Sequence, residues 1–271
     1  MIKNRFQFSQ KVPTTGFCIH SKGRVKYVTS RIPINQAYEA KIIHPLDRYA
    51  GLFRTFADTE INEKGILRFA NKYGLLGLPG ELITLDNKTR ACMGEPLNEW
   101  YKAIANMRVA TELWGMIEKG EKGKLKKHVH WKVKGWIDYT HVIQSPAFTL
   151  EIDETIASKK ANKYAEHFNE FVYGDIINPA KLYLQSFINK QIDSRVSPRM
   201  LQDRCTLGLF HVPNSLIGAL WLQFAISITT GAKYQQCPWC SSWFEPERNT
   251  KKFCSDSCRV SASRKKRRKG K

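Results

Sequence analysis

Two cysteine pairs near the C-terminus constrain this chain more than anything else in it: Cys237-Pro-Trp-Cys240 and, after thirteen intervening residues, Cys254-Ser-Asp-Ser-Cys258. Zinc takes four soft ligands in a tetrahedron, and two close-spaced pairs supply them at little cost in loop entropy. A pair with two intervening residues suits a tight knuckle whose backbone amides point at the sulfurs. A pair with three suits the first turn of a helix, where i and i+4 share a face and the helix N-terminus favours thiolate. Between the pairs, Trp243 and Phe244 precede Pro246 and the turn-prone Arg248-Asn249-Thr250, and Phe253 follows. The order reads knuckle, hairpin, helix. One structural zinc ion on Cys237, Cys240, Cys254 and Cys258 is the expectation, against free thiols or a redox pair.

The other cysteines and the charge point the same way. Seven cysteines is an odd number, and Cys18, Cys92 and Cys205 are scattered singles. The opening MIKNRFQFSQ has no apolar run after its basic residues, so it does not read as a secretory signal. A reducing cytoplasm with a metal site fits better than a disulfide framework. Lys and Arg number 44 against 24 Asp and Glu, a formal charge of +20. The last 41 residues alone hold 12 basic residues against three acids, Glu245, Glu247 and Asp256. That excess calls for a polyanionic partner and says nothing of the fold. No apolar stretch reaches the roughly 18 residues of a membrane span; the best, Leu216 to Ile228, is short and carries Gln223.

The segment CPWCSSWFEPERNTKKFCSDSCRVSASRKKRRK resembles the treble-clef zinc fingers of bacterial proteins that carry a Cys-Pro-x-Cys knuckle and a Phe-Cys-Ser-x-x-Cys-Arg helix start. Its place behind a larger body resembles the CGNR-type zinc-finger proteins, regarded as transcription regulators. The chain departs from that family's pattern after Cys258, where Arg259-Val260 stands in place of Gly-Asn-Arg. The resemblance implies ligand roles for the four cysteines and a DNA-binding, regulatory role in bacteria.

Beyond the last cysteine, the chain carries Arg259, Arg264, Lys265, Lys266, Arg267, Arg268, Lys269 and Lys271 and no acid. Phosphate contact is the sharper reading, with zinc fixing the helix that presents the charges; a solubilising tail that frays from self-repulsion is the plainer one. Trp243, Phe244 and Phe253 read as the finger's own small core rather than as base-stacking rings. Trp239, at the knuckle tip, is open to either role.

The body, residues 1–232, reads as α+β and helix-dominated, with the finger in 233–271. Short strands fill the first 45 residues: Phe6 and Phe8 alternate with polar neighbours, and Ser21-Lys22-Gly23 turns the chain between Gly16–His20 and Val25–Val28. Leu46, Tyr49, Leu52, Phe53 and Phe56 recur at helical spacing, and Asn62 and Gly74 bracket a second helix. Pro79 to Glu95 reads as a loop. The clearest helix spans Leu97 to Ile117, with Leu97, Trp100, Ile104, Met107, Ala110, Trp114 and Ile117 in one stripe and Gly120 as its stop. A charged connection, GEKGKLKK, leads to a strand through Val129, Trp131 and Val133. Residues from about Glu154 to Tyr173 read as helical, and Asn178-Pro179 as the cap of the next helix. Asn214 caps a helix over Ser215–Thr230 that is apolar nearly all round, hence buried, and that anchors the finger.

No catalytic constellation emerges. His128 and His130 share a strand face with Lys132 and Lys134, which would repel a cation. Glu151, Asp153 and Glu154 lack the lysine spacing of metal-dependent nucleases, and Cys18-Ile-His20 reads as strand packing. There is no phosphate-binding glycine loop and no nucleophile elbow. The expectation is a zinc-finger nucleic-acid-binding protein, with DNA favoured over RNA, no membrane partner and no enzymatic activity. Two rivals stand beside it: a nuclease that engages its substrate through the finger, and a protein-interaction module that meets an acidic partner.

Overall fold

The computed structural model describes residues 8–33, 39–85, 90–132, 136–145, 148–157, 172–203, 206–246, 248 and 250–269. Phe6, Val133, Lys134 and Lys271 lie outside them. The N-terminal segment forms four strands, β1 (Gln10–Pro13), β2 (Phe17–Lys22), β3 (Val25–Ser30) and β4 (Ala40–Ile43), with β1 antiparallel to β4 and β2 to β3. Pro45 then opens α1 (Pro45–Arg48), and after a break at Tyr49 comes α2 (Leu52–Ala57). In α3 (Glu63–Tyr73) the expected cap is in place. The Asn62 side chain accepts from the Gly65 N–H at 2.7 Å, and Gly74, at φ +96°, ends the helix.

Most of Pro79–Glu95 is not a loop. It contains β5 (Glu81–Leu85) and β6 (Arg90–Pro96), an antiparallel pair that completes a four-stranded sheet ordered β2-β3-β6-β5. Ile83 and Cys92 face each other inward and are buried, while Leu82 and Met93 face each other outward and are exposed. With apolar residues on both faces, the two-residue alternation that betrays a strand is lost. Glu95, also in β6, is buried and accepts from the N–H groups of Leu76, Gly77 and Leu78 at 3.1, 2.6 and 3.0 Å. Burial outweighs those donors and pushes its carboxyl up to about 7.

Pro96 hands the chain to α4 (Leu97–Glu118), the centre of the molecule. Every residue of the expected stripe is buried except Trp114, which is half-buried. Ala105, Val109 and Leu113 are buried too, so the helix is enclosed on more than one side. The charged connection after Gly120 contains a short turn, α5 (Lys122–Leu125), pinned by fully buried Leu125. An antiparallel meander follows: β7 (Val129–Lys132), β8 (Trp136–Ser145) and β9 (Phe148–Ala157). Residues 154–157 are therefore strand, not helix: β8 offers a partner along the whole length of β9, from Phe148 to Ala157. The rest of the expected helix up to 171 lies outside the described residues.

In α6 (Ile177–Ile192) the cap position is Ile176, not Asn178, which lies inside the first turn; just before it, the Asp175 carboxylate accepts from the Ile177 N–H at 3.0 Å and from the Asn178 side-chain amide at 2.7 Å. A hairpin without a clear sequence signal, β10 (Val196–Asp203) with β11 (Thr206–Pro213), leads to α7 (Leu216–Thr230). There Ser215, not Asn214, is the cap, accepting from Gly218 N–H at 3.3 Å; Asn214 donates to the Ser194 carbonyl instead. Gly231, left-handed at φ +64°, stops α7 as expected. Helices α2, α4, α6 and α7 pack into one core, stitched by ring contacts such as Phe53–Phe224 at 5.2 Å and Phe187–Trp221 at 5.7 Å. Gln223, the polar residue of α7, is buried but satisfied. It accepts from the Phe53 N–H at 3.2 Å and donates to the Tyr49 carbonyl at 2.8 Å, so it ties α2 to α7. The architecture is α+β, with a larger share of antiparallel strand than the sequence suggests. No helix among the described residues is long and apolar enough to cross a membrane.

Candidate metal centre and the basic helix behind it

After Gly231 the chain forms β12 (Gln235–Gln236), turns through Cys237–Cys240, and returns as β13 (Trp243–Phe244). The knuckle is thus the turn of the hairpin itself. Two hydrogen bonds close it, Cys237 N–H to the Ser242 carbonyl at 3.0 Å and Ser241 N–H to the Cys237 carbonyl at 2.8 Å. Closing so tightly drives Ser241 into the left-handed region at φ +55°, which a non-glycine residue adopts only under strain. The second pair meets the knuckle at the start of α8 (Asp256–Lys269), where the Ser255 hydroxyl accepts from the Cys258 N–H at 3.3 Å.

All four sulfurs lie within 4.8 Å of one another, and Cys240–Cys254 and Cys254–Cys258 are each 3.5 Å apart. A tetrahedron with zinc–sulfur bonds of about 2.3 Å has edges of about 3.8 Å, so the four thiols fit such an ion in number, chemistry and spacing. Among the described residues no other group of three or more His, Cys, Asp or Glu converges in this way. The electrostatics also call for a cation. For Cys237, buried at 1% exposure, burial opposes ionisation, yet backbone hydrogen bonds from Cys254, Cys240 and Trp239 and the Cys240 side chain outweigh it and bring the thiol down to about 6. Burial and the three neighbouring thiols push Cys254 far the other way. Cys237 thus ionises readily while Cys254 resists, and a shared divalent cation would remove that resistance.

The hairpin is held by the body, but through α2 more than through α7. Trp243 donates from its indole N–H to Asp58 at 2.6 Å and from its backbone N–H to the Thr55 hydroxyl at 3.3 Å. Gln236 donates to the same Asp58 oxygen at 3.2 Å. The Arg54 guanidinium lies 5.2 Å from the Trp243 ring and 5.5 Å from that of Tyr234. Trp243 is therefore part of a joint with α2 rather than of a private finger core; Phe244 is buried and Phe253 half-buried. A cleft of about 260 Å³ lies between the knuckle and α3, lined by Asp58, Glu60, Arg68, Lys72 and Ser242 among others.

Of the expected basic residues, Arg259, Arg264 and Lys265 are exposed on α8. Arg259 pairs with Asp256 one turn back at 3.0 Å. Lys266, Arg267, Arg268 and Lys269 continue the same helix. The Lys265 ammonium lies over the Trp239 ring at 5.5 Å.

The other sequence candidates do not assemble. His130 is exposed, while His128 stacks on His141 at 4.3 Å and 7° between ring planes and lies 2.9 Å from the Thr140 carbonyl. Glu151 and Asp153 are exposed mid-strand in β9. Cys18 does meet His20, at 3.5 Å, but the same imidazole nitrogen is 2.7 Å from the Thr29 hydroxyl. No family model, no curated protein and no solved structure matches the chain.

Proposed function

We propose that residues 233–271 form a treble-clef finger, of the kind the CGNR-type regulators carry, that holds one structural zinc ion through Cys237, Cys240, Cys254 and Cys258. We propose further that its helix binds nucleic acid, DNA rather than RNA, in a regulatory role, with residues 1–232 as the body that carries it. One observation supports the reading above the others: a continuous helix begins at a ligand pair and runs on through Arg264–Lys269 with Asp256 as its one acid. The zinc fixes the first turn, and the rest of the helix carries Arg259, Arg264, Lys265, Lys266, Arg267, Arg268 and Lys269 in its sequence, a run of positive charge suited to a phosphate backbone. Such contacts position a protein without reading its sequence.

If about five or six of these charges neutralise phosphates, log affinity falls against log salt with a slope of roughly −5 on duplex DNA. Raising salt from about 50 to 200 mM then weakens binding on the order of a thousandfold. Deleting residues 264–271 removes most of that slope and leaves zinc content and body folding unchanged, since the deletion lies beyond the last ligand. A salt titration of the full chain and the deletion by fluorescence anisotropy checks this. An unchanged slope would return the tail to a solubilising role.

A further inference from the structure

Seven tryptophans occur in the chain, and the two in the hairpin are used differently. Trp243 is committed to structure: its indole N–H is on Asp58 and its ring is under Arg54. The Trp239 side chain has neither a hydrogen bond nor an aromatic neighbour among the described residues, and the residue is 40% exposed. The hydrogen bonds that close the knuckle hold its backbone between two ligand cysteines. What it does have is Lys265 over its ring. Lys265 lies seven residues beyond Cys258, two turns along α8, hence on the ligand side of that helix. The metal centre thus sets both ends of a ring–ammonium pair, one from the knuckle and one from the helix.

We infer that Trp239 and Lys265 form a stacking platform for one unpaired base, and that the finger therefore takes single-stranded nucleic acid in preference to duplex. The inference rests on the proposed nucleic-acid binding and narrows its substrate. A base in a duplex has both faces covered by its neighbours, whereas an unpaired base has a face to offer an indole. Lys265 serves the same ligand twice, as the cation against the ring and as the partner of the phosphate next to the stacked base. Phosphate contacts alone give the opposite preference, since duplex DNA carries the denser charge. A preference for single strands is therefore the signature of the ring and not of the tail.

The test compares the intact chain with Trp239→Ala and Trp239→Phe, using a labelled short single-stranded oligonucleotide and the duplex of the same sequence at one moderate salt concentration. Zinc content is measured on each protein to show that the knuckle is formed. Trp239→Ala is expected to lose roughly tenfold in affinity for the single strand and to keep duplex affinity within about twofold. Trp239→Phe, which retains an aromatic face, keeps most of the single-strand affinity. Equal losses on both ligands, or none on the single strand, overturn the platform while leaving helix-borne phosphate contact standing. Binding to neither ligand by the intact chain removes the nucleic-acid reading itself, and the platform with it.

Discussion

The region around α4 and the segment from Lys233 onward are stabilised by different means. Around α4, fully enclosed side chains such as Trp100, Ile104, Phe53, Phe224 and Trp221 make a continuous apolar core. Beyond Lys233, Cys237 and Phe244 are the buried residues among those described. Burial at about 25 cal/mol per Å² can outweigh chain entropy in the first region; two buried side chains cannot do so in the second. The second region needs a cross-link, and four converging thiols offer one. Its other support is borrowed: Asp58, Thr55 and Arg54 of the body hold Trp243. Even a short, strongly charged segment can thus be ordered if its few apolar atoms are reserved for a metal centre and for one joint with a neighbour.

Removing the metal is the strongest way to test that contrast. Structural zinc contributes on the order of 10 kcal/mol or more in isolated fingers, so chelation, or Cys254→Ser, unfolds the segment after Lys233 while the α4 core keeps its cooperative transition. Native mass spectrometry should find one zinc per chain on protein purified without chelator. Calorimetry with and without chelator should then show the core transition surviving. A collapse of both together would mean that the two regions are one folding unit.

A smaller effect separates the joint from the metal. At Gly51, which opens α2, an added Cβ would lie 2.7 Å from the Trp243 Cβ and 2.8 Å from its carbonyl carbon. Backbone cannot yield as a flexible side chain does, so Gly51→Ala pushes the hairpin off α2. We expect a loss of about 1–3 kcal/mol, unchanged zinc stoichiometry and faster proteolysis between Gly231 and Gln236. Unchanged cleavage would show that the joint adds little order to the hairpin.

The smallest effect lies within the knuckle. Ser241 holds φ +55° where glycine is at ease. Ser241→Gly relieves that strain, offset by the greater freedom of an unfolded glycine, for a net gain of up to about 1 kcal/mol. A competition titration with a chelator, read as zinc retention, should shift slightly in favour of the variant. Weaker retention would show that the serine side chain contributes more than its backbone costs.

What local spacing could encode was legible in the sequence. The cysteine quartet was visible from its spacing, the α3 cap from Asn62, the α4 stripe from its period, and the end of α7 from Gly231. Each depends on residues a few positions apart, because helix faces, caps and tight knuckles are closed by near neighbours. Partners far along the chain decided the rest. Pro79–Glu95 became β5 and β6 because β3 pairs with β6, about 65 residues away in sequence. Residues 154–157 became strand because β8 runs alongside them. Trp243 found its place on α2 across 185 residues. Nothing near Trp243 in the chain names Asp58, because a strand edge or an indole N–H is satisfied by whatever the fold brings to it, and only the tertiary structure determines what that is.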